Sequence, residues 1–408
     1  MSKKEKNANK GTVLQDDIKL DIPEDEIWTY QIEGLAAPHI NKPYKYYNFK
    51  KAIFVIVILI AVSLSMYFSI MALQNETFEY TELENGYEFT HFANTGYLDE
   101  LDIDYVADIE YIAGNNDPAT NFKVVKDEAK PIKSVREFTL NCDDKIKTIR
   151  IGAGVEFVDE KAFYSCWALQ NIEVDENNPN YCDIDGVLYN KDKTELLCYP
   201  CDHDEYLRQK YGYEKELFTA DITPEYERDV QTYVVPSTVT RLGIMCFNYA
   251  NLRAIYLPEG LERIETLAVF KLHERKNDWE TTPSLSNVCT YKADNVTDTH
   301  FTSEDALGEI YLSLPETVEF IGSDAFSYNQ NLQYVFIPSS VKEIGHHAFW
   351  DTCFKEDGEV RGVAVMNVAV SEEEFAELTV GDNWLPQYDY LLFKMNIDVN
   401  YSAERAEK

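Results

Sequence analysis

The 408-residue sequence predicts a solenoid, mainly β with short strands and turns, displayed by one N-terminal transmembrane α-helix. Three features carry that reading. First, the stretch from Pro315 to Phe349 states one pattern twice. Pro315 and Pro338, Val318 and Val341, Ile321 and Ile344, Gly322 and Gly345, Ala325 and Ala348, and Phe326 and Phe349 each lie 23 residues apart. A fixed period in the twenties marks units too small to bury their own apolar faces, which stack on their neighbours into one continuous core. Second, each unit closes on L-x-x-I-x-I/L-P, which alternates with period two and is rich in β-branched residues, so one short strand falls in each unit. Third, residues 52–73 carry no charge, and at about 1.5 Å per residue a helix of that length crosses a hydrocarbon core of about 30 Å.

In chain order, residues 1–51 lack an apolar period and read as a largely disordered tail. Lys42, Lys45, Lys50 and Lys51 precede the apolar helix, whereas Glu76, Glu79, Glu82 and Glu84 follow it. The excess of positive charge before the helix places the N-terminus in the cytoplasm and the rest outside, at the cell membrane, as an uncleaved single-pass signal anchor. The tail carries net +1, so the remainder carries −36 of the total −35. So acidic a chain is not a nucleic-acid binder, because it would approach a polyanion against repulsion. Residues 74–134 show no copy of the repeat and read as a membrane-proximal segment and N-terminal cap. Within them Leu101, Ile103 and Tyr105 alternate with Glu100, Asp102 and Asp104, a strand with one acidic face and without the glycine turn of a calcium loop.

The repeats are expected over 135–355, beginning with the inward Ile146, Ile149 and Ile151. A copy runs through Val155, Val158, Ala162, Phe163, Leu169, Ile172 and Val174, another through Pro236, Val239, Leu242, Gly243 and Phe247, and the next starts at Pro258 with Leu261, Ile264 and Phe270. Between them lies a different module: Asn177, Asn178, Pro179, Asn180 and Tyr181, then Asp185-Gly186-Val187-Leu188-Tyr189-Asn190-Lys191-Asp192, then Leu196 to Pro200. Repeat and module together resemble the BspA-type leucine-rich repeat proteins, over about half the chain. That resemblance implies a leucine-rich repeat fold and surface exposure, often adhesion or host binding, with no shared catalytic residues and no cofactor.

Two insertions interrupt the period, near 202–231 and 271–306; the first is polar and helix-prone at its start. Residues 356–408 read as a C-terminal cap and tail. Of the eight cysteines, Cys166, Cys246 and Cys353 fall near one turn of their units, where free cysteine packs as a small apolar side chain. Cys182 and Cys198 are the best candidates for a disulfide. Cys198 and Cys201 have redox or metal spacing but stand without a second pair. His346 and His347 occupy the variable turn where Ser323 and Asp324 stand one unit earlier, and read as solvated. No catalytic residue and no metal ligand is assigned.

The outward column of the strands offers the remaining signal. The residue between two inward branched positions points away from the core; reading along the units gives Arg150, Glu173, Tyr256, Tyr311 and Phe336, and two positions earlier Thr148, Asn171, Ala254, Glu309 and Tyr334. Tyr256, Tyr311, Tyr334 and Phe336 are therefore the candidate ligand-binding residues, expected to be exposed on a concave sheet. The function expected is a membrane-anchored, non-catalytic extracellular scaffold for protein or glycan ligands. Its alternatives are a single-pass receptor signalling through the tail and an extracytoplasmic enzyme.

Overall fold

Strand, turn, strand, turn is the rhythm imposed by the repeat, and the computed structural model shows two parallel sheets stacked from these rungs. The chain divides into two compact units, 1–73 and 74–408. The structure describes residues 77–93, 98–111, 122–140, 144–213, 224–277, 280–283, 287–291, 311–329, 332, 334–356, 359–362, 365–385 and 398–404, all in the second unit. The predicted tail and the predicted membrane helix at 52–73 lie outside the described residues. Among these, no helix is long and apolar enough to cross a membrane.

An N-terminal sheet opens the fold. β1 (Thr77–Leu83) and β2 (Gly86–Ala93) form a hairpin; β3 (Glu100–Ile103) starts a second sheet, and β4 (Tyr105–Tyr111) pairs antiparallel with the long β5 (Phe122–Val135). Parallel stacking begins here, because β2 pairs with β5 and β5 with β7 (Phe157–Val158), while β3, β6 (Thr148–Ile151) and β8 (Asn171–Val174) stack side by side. Alternation decides which side chains go inward: Leu101, Ile103, Ile149, Ile151 and Ile172 are buried, as is Ile146 ahead of its strand. The repeats thus start within the stretch expected to be only a cap.

The module of β9 (Tyr181–Ile184), β10 (Val187–Asn190) and β11 (Glu195–Cys198) is a partition between two blocks of repeats. Asp185 and Gly186 both take positive φ, 51° and 85°, which is what a two-residue hairpin turn requires. Val187, Leu188 and Tyr189 are all buried because the plate is covered on both faces. Val187, Tyr189 and Leu196 join the core of the second block, whereas Tyr181, Leu188 and Leu197 join that of the first. A continuous apolar run is the pattern of a strand covered twice. Asn178 ties the plate to the first block: its amide donates to the Gly152 and Val155 carbonyls at 2.8 and 3.0 Å and accepts from the Asn180 and Tyr181 amides, both at 2.9 Å. Asn178→Ala leaves these buried backbone groups unpaired and is expected to cost about 3 kcal/mol in urea unfolding.

Two helices, α1 (His203–Tyr211) and α2 (Pro224–Val230), fill the first insertion and share a small core of Leu207, Tyr226 and Val230. Then come β12 (Thr232–Val234), β13 (Arg241–Leu242), β14 (Ala254–Pro258) and β15 (Arg263–Ile264). The stretch expected as a second insertion holds a hairpin, β16 (His273–Asn277) with β17 (Glu280–Pro283), and then β18 (Asn287–Tyr291). β18 is no loop. It pairs with β14 on one side and with β19 (Tyr311–Ser313) on the other, adding a rung. The stack continues through β20 (Phe320–Ile321), β21 (Tyr334–Ile337) and β22 (Glu343–Ile344). After a hairpin of β23 (Cys353–Glu356) and β24 (Glu359–Gly362) come β25 (Val365–Val368), α3 (Glu372–Phe375), β26 (Thr379–Val380) and β27 (Asp398–Asn400).

One sheet therefore runs β12-β14-β18-β19-β21-β25-β27 and the other β26-β22-β20-β15-β13-β11-β10-β9. Between them Val318 and Val341 share one core, and Phe326 and Phe349 stack with ring centroids 5.5 Å apart and planes at 4°. The repeat glycines belong to this stacking. A Cβ on Gly345 would overlap Ser323 N and lie 2.6 Å from the Gly322 carbonyl carbon. Only glycine lets the rungs approach so closely.

Candidate functional site

The predicted aromatic column is rearranged by the register. Tyr256 and Phe336 do lie in one row, because Tyr256 pairs with Cys289 and Ser313 with Phe336. Tyr311, however, sits beside Tyr334 in the row of Ala254. Counting back from the proline that closes each strand finds the true row: Tyr256 before Pro258, Ser313 before Pro315, Phe336 before Pro338. Tyr256 and Phe336 are also not exposed, at 4% and 2% accessible. Neighbouring outward residues stand about 4.8 Å apart in a parallel stack and shield one another. Arg150 and Glu173 do pair as neighbours, at 2.8 Å, with Glu100 2.7 Å from the same guanidinium. Hydrogen bonding to Arg150 holds the Glu100 carboxyl below its ordinary range. Asp102 and Asp104, the pair weighed against calcium, both accept from Lys126, at 2.8 and 2.9 Å.

The cysteine expectations divide. Cys166 and Cys246 are buried thiols, as their place in the repeat predicted. Cys182 and Cys198 are free rather than bonded: Cys182 sits on β9 opposite Tyr189 and Cys198 on β11 opposite Leu188, so the central strand β10 separates them. Two strand spacings are about 9.6 Å, beyond the reach of a disulfide. Burial pushes the Cys198 thiol up to about 12. His346 and His347 occupy a turn, where His347 Nδ1 stands 4.0 Å from Asp324 and its ring packs on Trp350.

A more exposed feature lies along the turns that join the two sheets. Two residues after the buried aromatic or apolar landmark of its unit, the backbone takes a left-handed conformation at Ser165, Tyr249, Lys271, Tyr328 and Asp351, and Phe138 is left-handed two residues before the buried Leu140. Tyr249, Lys271 and Tyr328 are partly exposed whereas Ser165 is buried, and hydrogen bonds hold one such turn upon the next, as from Tyr249 N to Phe270 O at 3.2 Å and Tyr328 N to Trp350 O at 2.8 Å. The outcome is a ridge of partly exposed rings. Phe138 meets Tyr164 edge-on at 5.7 Å; Trp167 packs on Tyr249 at 4.4 Å; Phe270 touches Tyr249 and Tyr328 edge-on at 5.8 and 5.3 Å. The Lys271 ammonium lies over both Tyr249 and Tyr328, at 5.6 and 5.9 Å, and Lys161 over Phe138 at 5.8 Å. Phe138 and Tyr328 are 38% and 37% accessible.

Sequence reasoning missed this ridge because its positions are the variable ones of the repeat; the signal available was Tyr249, Lys271 and Tyr328, each two places after its unit's landmark. Insertions leave from this same connection between sheets, after β11, β15 and β22, whereas the turns bearing Tyr249 and Tyr328 are uninterrupted. Tyr249 and Tyr328 therefore occupy the short turns, with inserted elements on alternate rungs. Chemically the ridge offers rigid ring edges and two ammonium groups. Among the described residues, no group of three metal-ligating side chains comes together.

Comparison with known proteins agrees with the architecture. Six copies of the BspA type leucine-rich repeat region match residues 88–183 and 225–355, more than half of the chain. Several solved structures are similar at low identity. A leucine-rich repeat protein from Eubacterium ventriosum is 20% identical, with 59% of this chain and 49% of that one covered and a TM-score of 0.36. The pneumococcal vaccine antigen PcpA is 17% identical, with 64% and 48% covered and a TM-score of 0.36. A leucine-rich cell surface protein from Faecalibacterium prausnitzii is 14% identical, with 80% and 94% covered and a TM-score of 0.25. The chain spans about half the length of the first two. No curated protein matches. With its six repeat copies over more than half its length, the chain belongs to the BspA type leucine-rich repeat family.

Proposed function

We propose that this protein is an externally displayed, non-catalytic binding scaffold for a protein or glycan, anchored by residues 52–73 with its N-terminal tail in the cytoplasm. The observation that carries the reading is the ridge of half-exposed rings, held one per turn on a rigid stack. Anchors of this kind supply contact area at little conformational cost. The ridge replaces the sheet face as the principal contact surface, since Tyr256 and Phe336 are buried. Tyr311 and Tyr334, adjacent by register, complete the proposed set.

The test is binding of the fragment 74–408 to arrays of matrix proteins and glycans, followed by Phe138→Ser, Tyr249→Ser and Tyr328→Ser together. At least a tenfold loss of binding is expected, equivalent to about 1.4 kcal/mol, with the fragment's urea midpoint little changed. Undiminished binding by the triple variant removes the ridge from the contact surface.

A further inference from the structure

The first turn of α1 sits where the two blocks of repeats meet. His203, 1% accessible, is held to the first block: its Nδ1 lies 2.7 Å from the Gln170 carbonyl, three residues beyond Trp167. The next residue, Asp204, is held to the second: its Oδ2 accepts from Asn251 Nδ2 at 2.7 Å, two residues beyond Tyr249. The residue as a whole is half-buried, yet its Oδ1 is sealed from solvent without a hydrogen-bond partner, as are Asn251 Oδ1 and the Tyr199 hydroxyl. Two neighbouring titratable side chains therefore span the junction that the Trp167–Tyr249 contact crosses. We propose that this turn is a proton-balanced clamp, holding the Trp167 turn against the Tyr249 turn while His203 and Asp204 are both uncharged and loosening under mildly alkaline conditions.

The surroundings favour the uncharged forms. His203 faces the rings of Tyr199 and Tyr206, at 4.9 and 5.2 Å, and beyond them Asp185 and Lys210, which pair with each other at 2.6 Å. Burial pushes its imidazole down to about 4, against the hydrogen bond to Gln170. Asp204 faces Asn251, Tyr199, Asp202 and Glu205; Asp202 accepts from Gln170 Nε2 at 3.0 Å, and Glu205 is tied to Arg208 at 2.6 Å. Burial, with the Asp202 charge adding to it, pushes the Asp204 carboxyl well above the ordinary carboxylate range.

Linkage then sets the sign. The docked turn keeps its advantage from His203 above the ordinary imidazole value near 6.5 and loses it as pH falls toward 4. It keeps its advantage from Asp204 below the ordinary carboxyl value near 3.9 and loses it as pH rises toward the raised value of the docked carboxyl. Between about pH 4 and 6.5, release takes up one proton at His203 and gives up one at Asp204, so the balance is indifferent to pH. Above about 6.5 only the Asp204 proton is shed, and each unit of pH favours release up to tenfold until the docked carboxyl itself ionises.

Hydrogen exchange of amides 203–207 in the full chain, corrected for intrinsic rates and followed from pH 5 to 8.5, tests this alongside the Trp167 emission obtained by difference from Trp167→Phe. Constant protection to pH 6.5, then a fall of up to tenfold per pH unit with a matching change in emission, is the expected result. In Asp204→Asn that fall disappears and protection is lost instead on acidification below 6.5; in His203→Gln the fall with rising pH is already under way at pH 5. Unchanged wild-type protection between 6.5 and 8 overturns the clamp, as does a fall that persists in Asp204→Asn. The wild-type profile decides alone should a variant fail to fold.

Discussion

Gly345→Val is expected to destabilise the protein by at least about 4 kcal/mol, the range reserved for substitutions that force the backbone apart. The new side chain has nowhere to go: its Cβ would overlap Ser323 N and stand 2.7 Å from Ser323 Cα, both belonging to the preceding rung. Gly322 meets the unit before it in the same way, at 2.9 Å from the Glu265 carbonyl oxygen. Relief requires separating rungs that exchange hydrogen bonds such as Gly345 N to Ile321 O at 2.7 Å. Gly260, with open space around its missing Cβ, is the control, and Gly260→Ala is expected to fall within about 0.5 kcal/mol of the parent. Urea unfolding of both variants checks the contrast; a tolerated valine at 345 disproves the close approach.

Phe326→Ala is expected to cost about 3–5 kcal/mol, because a fully buried ring leaves a cavity bounded by the stacked Phe349 and by the Ala325 and Ala348 that flank them. The loss has a distinctive distribution. In a solenoid each rung contacts only its neighbours, so stability is close to a sum of local terms. The two cores of this chain meet across the plate of β9, β10 and β11. Phe326→Ala should therefore loosen the second block, read by exchange of amides around Ile337 and Ile344, while amides around Ile149 and Ile172 keep their protection. Uniform loss across both blocks contradicts the partition.

What the sequence made legible was whatever the period enforces. Val318, Ile321, Ala325 and Phe326 recur because every unit must bury the same four points, and all of them are buried. Asp185-Gly186 announced its turn because few residues accept positive φ twice in succession. Less legible were β18, whose NVCTY has neither proline nor landmark, and the row of Tyr311, where the proline four residues on, rather than the branched residues before, marks the register. The exposure of Tyr256 and Phe336 was misjudged because alternation tells which face a residue occupies, and not whether that face is covered. Cys182 and Cys198 show the same limit: a short separation in sequence says nothing of the strand lying between them. The ridge escaped notice because selection for a repeat acts on buried positions, whereas Ser165, Tyr249, Lys271 and Asp351 share a backbone conformation without sharing a residue type.

Parallel register is the foundation of both the stack and the ridge it displays, and trapped cysteines measure it directly. Phe320, Glu343 and Thr379 occupy the same row on β20, β22 and β26. Cysteines introduced in pairs at these positions and oxidised gently, with bonds mapped by peptide mass, should join 320 to 343 and 343 to 379, rungs about 4.8 Å apart, and leave 320 and 379, about 9.6 Å apart, unjoined. Efficient joining of 320 to 379, or failure of both neighbouring pairs, contradicts the stacked rungs.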